Sequence, residues 1–378
     1  MRTKKIYPAV SRRKFVTGAA AAATGAAALG FTTIAKAQGP IVMRWQSTWP
    51  AKDIFHEYAL DLAKKVNDMT GGDLRIEVLP AGAVVPAFQL LDAVTRGTLD
   101  GGHGVLAYHY GKHSAFALWG CGPAFGMDAN ILLAWHKYGG GKELLKKLYA
   151  SIGANVVSFA YGPMPTQPLG WFEKPITRAE DLSGLKFRTS GISVEVFAGL
   201  GAVVSTLPGG EIVPAMDRGL LDAAEFNNAT SDRSLGFADV SKVCMLQSYH
   251  QNAEQFEVMF NKPKFDALPA TIKAIIENAV EAASADMSWK AIDRYSRDYV
   301  ELQSKDKVRF YRTPDSVLAR QLVVYDAAAK SRQQDALFSE IEESQKKFAE
   351  RAVRWFLDTQ VSSRMAYNHY FGRPAVKT

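Results

Sequence analysis

The sequence predicts an α/β fold built from two lobes, and three observations carry this prediction. A strand, a helix and a second strand follow one another between residues 41 and 79, which is the pattern of a mostly parallel sheet covered by helices. An eight-residue segment recurs 122 residues further along the chain. Finally, a chain of 378 residues is longer than one hydrophobic core ordinarily supports. We therefore expect two similar units that share a cleft.

The first element is an extended, largely apolar run at Ile41–Ser47, which predicts a strand that leads into a turn at Trp49-Pro50. A helix should follow and end at Thr70-Gly71-Gly72, because glycine terminates helices. The apolar stripe of this helix comprises Phe55, Ala59, Leu62 and Val66. Alternating apolar residues at 74–79 then predict the second strand.

The repeated segment links the two predicted units. Residues 93–100, Ala-Val-Thr-Arg-Gly-Thr-Leu-Asp, match residues 215–222, Ala-Met-Asp-Arg-Gly-Leu-Leu-Asp, at five of eight positions. Each copy has the composition of a helix end capped by glycine, followed by an aspartate that leads into a strand. Short turns of this kind also recur by chance. If the copies are equivalent, His103 corresponds to Glu225, and both lie at strand ends, where open α/β sheets bind ligands.

The last third of the chain is predicted to be helical. A helix should start after Pro269 and carry its apolar stripe to Met287 or beyond. A short strand at 308–311 and a helix that opens near Asp315 follow. The amphipathic stretch at 336–365 either packs on the body of the protein or clasps a second subunit.

Charge is distributed unevenly along the chain. The formal net charge of +7 arises from 45 Lys and Arg against 38 Asp and Glu, but residues 1–37 hold seven basic residues and no acidic one. The remaining 341 residues are therefore neutral overall. Because nucleic-acid and anionic-membrane binders need a basic surface, we expect no nucleic-acid partner.

Residues 1–37 have the pattern of an export signal. The segment Ser11-Arg12-Arg13-Lys14-Phe15-Val16 precedes an uncharged stretch that ends at Ile34, and paired arginines are typical of a twin-arginine signal. Ala35-Lys36-Ala37 is a small-x-small pattern that predicts cleavage before Gln38. The uncharged stretch is long enough to span a bilayer, although Ala, Gly and Thr dominate it. A retained anchor is therefore the alternative to a mature protein released into the periplasm.

Cysteine usage and local motifs do not indicate an enzyme. Cys121 and Cys244 are far apart in the sequence, and either two free thiols or a disulfide would suit an oxidising compartment. The run Gly139-Gly140-Gly141-Lys142 lacks the spacing and the following Ser or Thr of a phosphate loop. His109 and His113 are four residues apart without a third ligand, so we expect no zinc site.

Four motifs occur in a fixed order along the mature chain. They are Gln167-Pro168-Leu169-Gly170-Trp171-Phe172, Asp181-Leu182-Ser183-Gly184-Leu185-Lys186-Phe187-Arg188, Gly209-Gly210-Glu211-Ile212 through Ala224-Glu225-Phe226, and Met259-Phe260-Asn261-Lys262. With this order and spacing, essentially the whole mature chain resembles the solute receptors of tripartite ATP-independent periplasmic (TRAP) transporters. The third motif makes it most similar to the branch that binds 2-oxo and 2-hydroxy monocarboxylates together with a metal ion.

The resemblance implies a two-lobed periplasmic binding protein of the type II-like class, with hinge strands, a long connecting helix and a helical C-terminus. Residues 38–163 and 255–312 should form the first α/β lobe, and residues 164–254 the second. Residues 313–378 should form the C-terminal helical segment. The two lobes of such receptors close around the ligand.

The resemblance also implies that Arg188 holds the substrate carboxylate, with Gln167 close to the substrate. A guanidinium suits this role, because its planar and permanently charged fork matches both carboxylate oxygens. Tyr108 follows the first repeat and is placed to bond the keto or hydroxyl oxygen of the substrate. Trp49 and Trp171 are candidates for the walls of the cleft, although aromatic residues at such positions also serve the core.

The metal ligands implied by the resemblance are Gln167, Glu225, the backbone carbonyl of Phe226, and Gln251. Amide, carboxylate and carbonyl oxygens are hard ligands that suit sodium or calcium. The 2-oxoacid receptors carry Trp at position 226, a change that a backbone ligand tolerates. They carry Glu at position 251, so one negative charge is lost here. Charge balance with Arg188 and the acid then favours a monovalent ion, but amide-rich sites also hold calcium and the ion stays open.

We therefore predict a periplasmic receptor that captures a small monocarboxylate, such as pyruvate or lactate, together with sodium or calcium. It would deliver this ligand to the membrane permease subunits of a TRAP transporter. One alternative is a periplasmic metal-dependent enzyme that uses the ion as a Lewis acid on a carbonyl acid. Another is a sensor for a membrane signalling partner. The sequence leaves open which acid binds and whether the C-terminal helices build a homodimer.

Overall fold

A computed structural model describes residues Gly39–Gly372, which form two mixed β-sheets surrounded by helices. The predicted export signal and its cleavage point lie outside the described residues. The strands are β1 (Ile41–Ser47), β2 (Leu74–Leu79), β3 (Gly101–Val105), β4 (Val156–Met164), β5 (Gly170–Phe172), β6 (Lys186–Arg188), β7 (Val203–Ser205), β8 (Ala223–Ala224), β9 (Val243–Leu246), β10 (Glu254–Asn261) and β11 (Arg309–Arg312).

The α-helices alternate with these strands in the first two thirds of the chain and dominate the last third. They are α1 (Ile54–Met69), α2 (Leu90–Thr95), α3 (Ala129–Tyr138), α4 (Gly141–Ser151), α5 (Ser193–Gly199), α6 (Gly209–Asp217), α7 (Ala229–Leu235), α8 (Phe237–Val240), α9 (Lys262–Asp266), α10 (Ala270–Ser304), α11 (Asp315–Arg332), α12 (Ala336–Thr359) and α13 (Ser363–Phe371). Short 3₁₀ segments occur at Ala87–Gln89, Leu106–His109, Ser114–Trp119, Ala124–Gly126 and Ala179–Leu182.

The first sheet has the strand order β2-β1-β3-β10-β4. β1 pairs in parallel with β2 and β3, as the strand-helix-strand pattern predicts, and β10 runs antiparallel to β3 and β4. Helix α1 begins at the N-cap Asp53, which accepts a hydrogen bond from the Phe55 N–H, and it ends at Thr70. The predicted apolar stripe of α1 is buried, so this first unit is confirmed.

The second sheet has the strand order β11-β9-β5-β8-β6-β7. β6 pairs in parallel with β7 and β8, and β5 runs antiparallel to β8 and β9. β11 pairs in parallel with β9, so residues 309–312 belong to the second sheet and not to the first lobe, where the sequence analysis placed them. The physical reason is that α10 runs from the first sheet to α7, which lies beside the second sheet. The chain therefore leaves α10 next to β9, with which β11 pairs. The other lobe boundaries stay a prediction.

Two strand connections and one helix join the sheets. The chain passes from β4 to β5 and returns from β9 to β10, and β4 and β10 pair with each other. Helix α10 packs against α1 and β4 on one side and against α7 on the other. At 1.5 Å per residue its 35 residues extend about 52 Å. The predicted long connecting helix is confirmed.

The repeated segment adopts the same structure in both sheets. The Asp100 carboxylate accepts a hydrogen bond from the Arg44 N–H at 2.6 Å, and the Asp222 carboxylate accepts one from the Lys186 N–H at 2.9 Å. In each copy the glycine adopts a positive φ, and the aspartate immediately precedes the next strand. The two aspartates therefore make the same contact with a neighbouring strand. The two copies of the repeated segment thus correspond to each other in structure as well as in sequence.

The C-terminal segment is only partly packed on the body. Phe338, Ile341 and Phe348 of α12 are buried, whereas Trp355 is 67% exposed. The amphipathic stretch predicted as one unit is interrupted, because α12 ends at Thr359 and α13 begins at Ser363. Side chains on the last turn of α12 and on α13 therefore extend an apolar surface into solvent.

Cys121 and Cys244 are buried free thiols, so the disulfide alternative does not apply. Burial raises the pKa of both thiols above its usual value, which keeps them protonated and unreactive. Within residues 39–372, no helix is both long and apolar enough to cross a membrane.

Candidate ligand and ion site

A small cavity of about 20 Å³ lies where the carboxyl ends of the strands in both sheets meet the segments that connect the sheets. Seven residues that the sequence analysis selected line it: Trp49, Tyr108, Gln167, Arg188, Glu225, Phe226 and Gln251. The remaining lining residues are Phe55, Val105, Ser190, Asn227 and Glu254. The location agrees with the general rule that open α/β sheets bind ligands at the carboxyl ends of their strands.

Neighbouring parallel strands bring Arg188 and Glu225 together. Arg188 is the last residue of β6 and pairs with Ala224, the last residue of β8, so that Glu225 follows directly at the same edge of the sheet. The exposed fractions of these two residues are 1% and 0%. A buried charge must be paired to be tolerated, and these two form an ion pair at 2.9 Å.

The Arg188 guanidinium is held by three hydrogen bonds and keeps one nitrogen free. Its Nε donates to the Leu207 carbonyl at 2.8 Å, while Nη1 donates to the Glu225 Oε1 at 2.9 Å and to the Glu225 carbonyl at 3.2 Å. Nη2 is buried and has no hydrogen-bond partner among the described residues. A buried N–H group without a partner costs stability, so a hydrogen-bond acceptor bound in the cavity would remove this cost.

Three oxygen atoms that line the same cavity also lack hydrogen-bond partners within the described chain, although His250 Nε2 lies 4.0 Å from one of them, the Glu225 Oε2. They are Oε2 of Glu225, Oε1 of Gln167 and Oε1 of Gln251, and each is buried. Gln167 and Gln251 are adjacent, because the Gln167 N–H donates to the Gln251 carbonyl at 3.2 Å. A carboxylate and two amide oxygens form a donor set for a hard cation.

Glu254, the first residue of β10, is a site residue that the sequence analysis missed. Its Oε2 accepts a hydrogen bond from the Gln167 Nε2 at 3.0 Å, and the residue is buried. Burial, together with the negative charge of Glu225, raises the pKa of this carboxyl well above its usual value. In the sequence, its position three residues after Gln251 is the signal that could have identified it. In the structure it begins a strand whose residues are all buried.

Tyr108 and Trp49 line the side of the cavity that belongs to the first sheet. Loss of hydration raises the pKa of Tyr108 to about 12, opposed by the nearby Arg188 guanidinium, so the phenol stays a neutral hydrogen-bond donor. The Trp49 indole N–H donates to His103 Nδ1 at 2.8 Å, and His103 Nε2 lies 2.5 Å from the Tyr161 hydroxyl. Burial lowers the pKa of His103 to about 3. This neutral imidazole therefore fixes the Trp49 ring.

Trp171 does not line this cavity, in contrast to what the sequence analysis expected. Its ring is buried behind the site, where the indole N–H donates to Asp232 Oδ2 at 2.8 Å and the ring packs on Phe237. A three-residue strand in the middle of the sheet leaves its alternate side chains no route to the cleft. Trp171 lines instead a second cavity of about 370 Å³.

The two histidines rejected as a zinc pair have separate partners. His109 Nε2 lies 2.9 Å from Glu257 Oε2, and His113 accepts from the Ala115 N–H at 3.2 Å. Within residues 39–372, no group of three or more His, Cys, Asp or Glu side chains is placed to hold a metal ion. The candidate ion site depends instead on amide oxygens beside the carboxylates, which is the expected chemistry for sodium or calcium and not for zinc.

Comparison with known proteins supports this chemistry. Residues 46–327 match the family model for bacterial extracellular solute-binding proteins of family 7. The chain is 32% identical over 352 residues to the monocarboxylate 2-oxoacid-binding periplasmic protein all3028 of Nostoc sp., an alignment that covers 91% of this chain and 95% of that protein.

Three solved structures with the same fold contain a small carboxylate together with sodium or calcium. A TRAP transporter solute-binding protein from Bordetella bronchiseptica, with copurified calcium and picolinate, has a TM-score of 0.82 and 28% identity, and the match covers 89% of this chain and 98% of that one. A TRAP periplasmic solute-binding protein from Pseudoalteromonas atlantica, with bound sodium and pyruvate, has a TM-score of 0.80 and 29% identity, with coverages of 88% and 99%. A third, from Colwellia psychrerythraea, contains calcium and pyruvate, with a TM-score of 0.80, 28% identity and coverages of 88% and 100%.

The fold and the buried site define a solute receptor of the TRAP transporter class. The family match covers more than half of the chain and the similarity to the Nostoc protein covers nearly all of it. The chain therefore belongs to the bacterial extracellular solute-binding proteins of family 7.

Proposed function

We propose that this receptor binds a small 2-oxo or 2-hydroxy monocarboxylate together with sodium or calcium, without chemical turnover, and delivers it to TRAP permease subunits. The observation that carries the proposal is the set of buried atoms without partners. One guanidinium nitrogen and three oxygens line a single cavity, and an acid with a cation would satisfy both kinds of atom.

The acid is assigned to Arg188 and Tyr108. The free Nη2 of Arg188 would bind the carboxylate, since hydrogen bonds between ionised groups are about twice as strong as neutral ones. The neutral Tyr108 hydroxyl would donate to the keto or hydroxyl oxygen. A bound 2-oxo or 2-hydroxy acid also offers two adjacent oxygens to a cation, which a simple alkyl carboxylate does not.

The cation is assigned to Gln167, Glu225, the Phe226 carbonyl and Gln251. When bound, it would bridge the protein oxygens and the acid and neutralise charge that is buried away from water. The cost of burying Glu225 next to an anionic ligand would be prohibitive without such compensation. We therefore expect the ion and the acid to bind together.

The size of the site favours a small acid. The cavity of about 20 Å³ is little more than the space that one water molecule requires. Trp49, Phe55 and Phe226 form its apolar boundary. In this form the cavity is too small for a C2 to C4 monocarboxylate together with an ion, so binding them requires its walls to move apart. A small acid requires less movement than a sugar acid would.

A thermal-shift panel on metal-stripped protein tests the proposal. Pyruvate, 2-oxobutyrate, lactate, a C4 dicarboxylate and an amino acid would each be added with chelator, sodium or calcium. A ligand that binds only the folded state stabilises it by RT ln(1 + [L]/Kd), about 2.7 kcal/mol at a hundredfold excess over Kd. We expect a shift only when a monocarboxylate and an ion are present together.

The same samples distinguish a receptor from an enzyme. A receptor returns the acid unchanged, so pyruvate recovered after long incubation with the protein and calcium should be intact. A stabilising dicarboxylate that needs no ion would contradict the proposed site. Conversion of the acid at a rate above that of a heat-inactivated sample would favour the Lewis-acid alternative.

We also propose that the chain is exported by a twin-arginine signal and acts in the periplasm. The support is the basic pair at Arg12-Arg13, the Ala35-Lys36-Ala37 pattern and the extracytoplasmic character of the family. Replacing both arginines by lysine should retain the precursor in the cytoplasm, measured by fractionation. Export that persists would contradict this assignment.

Genes for membrane permease subunits next to this gene would support delivery to a transporter and argue against a sensor.

A homodimer through the C-terminal helices is the assembly that we propose. Large apolar side chains on the last turn of α12 and on α13 are exposed, and their side chains lie along one terminal segment: Trp355, Leu357, Val361, Met365, Tyr370 and Phe371. Large exposed apolar areas mark protein–protein interaction sites, and the concentration of exposed apolar residues in this one segment supports such a contact. A second copy of the same segment offers a matching surface.

A further inference from the structure

The C-terminal helices form a further connection between the two sheets. Helix α11 packs against α5 and the 3₁₀ segment Ala179–Leu182 on the side of the second sheet. Helix α12 packs against α3 and the 3₁₀ segment Ser114–Trp119 on the side of the first sheet. Only residues 333–335 lie between these two helices. Any separation of the two sheets therefore has to bend the chain at this short joint.

Tyr110, Glu195 and Arg332 meet beside this joint. Tyr110 directly follows the 3₁₀ segment Leu106–His109, Glu195 lies in the first turn of α5, and Arg332 is the last residue of α11. The Tyr110 hydroxyl donates to Glu195 Oε1 at 2.5 Å, and Arg332 Nη2 donates to the same oxygen. One carboxylate oxygen thus accepts two hydrogen bonds, from two different parts of the chain.

The two hydrogen bonds to Glu195 differ in the parts of the molecule that they join. Glu195 and Arg332 lie on helices that pack together on the side of the second sheet, so their ion pair persists when the sheets move apart. Tyr110 continues the segment that leaves β3 of the first sheet, so its bond to Glu195 crosses the cleft. A cavity of about 430 Å³, lined by Tyr108 and Tyr110 from one side and by Val194 from the other, marks the mouth of the cleft there. The bond between Tyr110 and Glu195 therefore exists only while the cleft is closed.

We propose, as an extension of the function proposed above, that Tyr110 and Glu195 form a latch that stabilises the closed receptor, and that Arg332 positions Glu195 for this bond. A contact that exists in only one of two conformations shifts the equilibrium toward that conformation. None of these three residues lines the ligand cavity. The latch therefore slows the release of every bound acid by the same factor, independently of the contacts that select the acid.

Stopped-flow measurement of ligand release tests the latch, with pyruvate and lactate as the acids and with whichever of sodium or calcium supports their binding. Tyr110→Phe removes only the hydroxyl and should raise the dissociation rate constant at least about fivefold, because a hydrogen bond to a charged group contributes more than one between neutral groups. The factor should be the same for both acids. In a Glu195→Ala background, Tyr110→Phe should have no further effect, because the acceptor is already gone.

Labelling of Cys121 with a maleimide measures the opening of the cleft directly. Cys121 is 4% exposed, and its Sγ atom would lie 2.5 Å from a methyl group added at Gly191. Gly191 follows β6 of the second sheet, so separation of the sheets should uncover the thiol. With acid and ion saturating, Tyr110→Phe should be labelled faster than the wild type by about the factor found for release. Faster release without faster labelling would show that the variant acts at the ligand and would refute the latch.

Tyr149→Phe is the matched control for both measurements. The Tyr149 hydroxyl also donates to a glutamate, Glu257, but α4 and β10 place both residues on the side of the first sheet, and neither lines the ligand cavity. This variant should lose stability without changing release or labelling. Unchanged release in Tyr110→Phe, an effect on one acid alone, or equal acceleration by both tyrosine variants would overturn the latch and leave the receptor function intact. If the protein binds neither acid with either ion, the proposed function itself fails, and the inference with it.

Discussion

Arg188 has two tasks that its geometry separates. Nε and Nη1 hold the guanidinium against Leu207 and Glu225, and Nη2 has no partner and is the donor that the proposed function assigns to the acid. A lysine cannot divide its donors between fixed directions in this way. The residue is therefore part of the fold and part of the site at the same time.

Replacing Arg188 by alanine should weaken pyruvate binding by roughly thirtyfold to several thousandfold, because truncating one partner of a buried charge pair costs about 2–5 kcal/mol and about 1.4 kcal/mol is a factor of ten. The variant should also be less stable, since Glu225 would be left buried without its partner. Isothermal titration with calcium present, at a temperature at which circular dichroism shows native structure, measures the first effect.

Arg233→Ala is the corresponding control. Arg233 pairs with Asp298, Glu301 and Asp306 away from the ligand cavity, so this variant should lose stability without losing affinity. Wild-type affinity in Arg188→Ala would refute the carboxylate assignment.

The sequence predicted which polar residues line the cavity better than it predicted their surroundings. Arg188 and Glu225 each belong to a sequence motif that also marks the end of a strand. Their location at the edge of the sheet could therefore be predicted from the motifs. The prediction that Trp171 lines the cleft was wrong, because the side chain of a residue in a three-residue strand can face either side of the sheet. Only the pairing of the strand within the sheet decides which side it faces. Glu254 was missed because an ionisable residue three positions from a known site has no periodic signal until β10 is placed beside β4.

At the scale of single elements, the start of α1 carries an unusual carboxyl. Asp53 Oδ1 accepts from the Phe55 N–H at 3.1 Å and from the Ser231 hydroxyl at 2.6 Å, and Oδ2 has no partner among the described residues. Burial raises the pKa of Asp53 to about 6. The N-cap is thus also a contact between α1 and α7.

The raised pKa of Asp53 should make stability fall as pH rises. The folded state holds this proton more tightly than the unfolded chain, so the free energy of unfolding decreases between about pH 4 and pH 6. Asp53→Asn keeps the accepting oxygen and cannot ionise, and should therefore remove this part of the decrease. Urea denaturation of the ligand-free protein at several pH values measures it.

Asp128→Asn provides the comparison for this prediction. Asp128 is the exposed N-cap of α3 and accepts from the Ile131 N–H at 2.7 Å. Because asparagine caps a helix about as well as aspartate, this substitution should change stability little and should not alter the slope between pH 4 and 6. Identical slopes in the wild type and in Asp53→Asn would contradict the role of burial.

Gly162 is the point at which β4 bends toward the second sheet. It has a φ of +62° beside the irregular pairing of Gln255 and Phe256, and its N–H donates to Ser284 of α10 at 2.9 Å. Gly162→Ala should destabilise the protein by about 1–3 kcal/mol, because a left-handed backbone is strained for alanine and the new methyl group would clash with Met287.

Gly153→Ala separates the cost of backbone strain from the cost of the clash with Met287. Gly153 has a φ of +67°, and nothing lies within 4 Å of the methyl group that alanine would add. It should cost only the backbone strain, measured by thermal unfolding of both variants. If Gly153→Ala destabilises the protein as much as Gly162→Ala does, the clash with Met287 contributes nothing to the loss of stability at Gly162.

The elements that sequence could predict are those with a long periodic pattern. β1, α1, β2 and α10 follow from hydrophobic spacing alone. The two-residue strand β8 and the three-residue strand β5 have no pattern to detect, because their conformation is fixed by pairing with neighbours. The break between α12 and α13 was missed because a stretch can keep its amphipathic character across three non-helical residues.

At the scale of the whole molecule, the site is closed to solvent. Gln167, Arg188 and Gln251 are 2%, 1% and 3% exposed, so an acid cannot reach them unless the two sheets separate first. We expect the ligand-free protein to be more open in solution and to become compact on binding. Small-angle scattering should show a smaller radius of gyration with pyruvate and calcium than with chelator.

The same measurement on Arg188→Ala serves as its control, since this variant should stay open with both ligands present. A radius that does not change on ligand addition in the wild type would indicate that entry requires only side-chain motion. In that case the segments that connect β4 to β5 and β9 to β10 would not act as hinges.

The proposed assembly predicts that a chain ending at Gln360 is monomeric. Removing α13 and the residues after it deletes most of the exposed apolar side chains of this segment, including Val361, Met365 and Tyr370, while the ligand cavity is untouched. Light scattering after size exclusion should show a dimer for the full mature chain and a monomer for the shortened one, with equal affinity for pyruvate. A full-length chain that is monomeric at tens of micromolar would refute the dimer.

The buried atoms without partners have a consequence for regulation. Under the proposed function the Arg188 Nη2 nitrogen binds the acid and the three oxygens bind the cation, so closing around one ligand alone leaves the other set without partners. Thermodynamic reciprocity then requires that the acid raise the affinity for the ion by the same factor by which the ion raises the affinity for the acid. A receptor of this kind would be a coincidence detector. Its loading would report the product of two concentrations, and the salt content of the surroundings would gate nutrient capture as strongly as the nutrient itself.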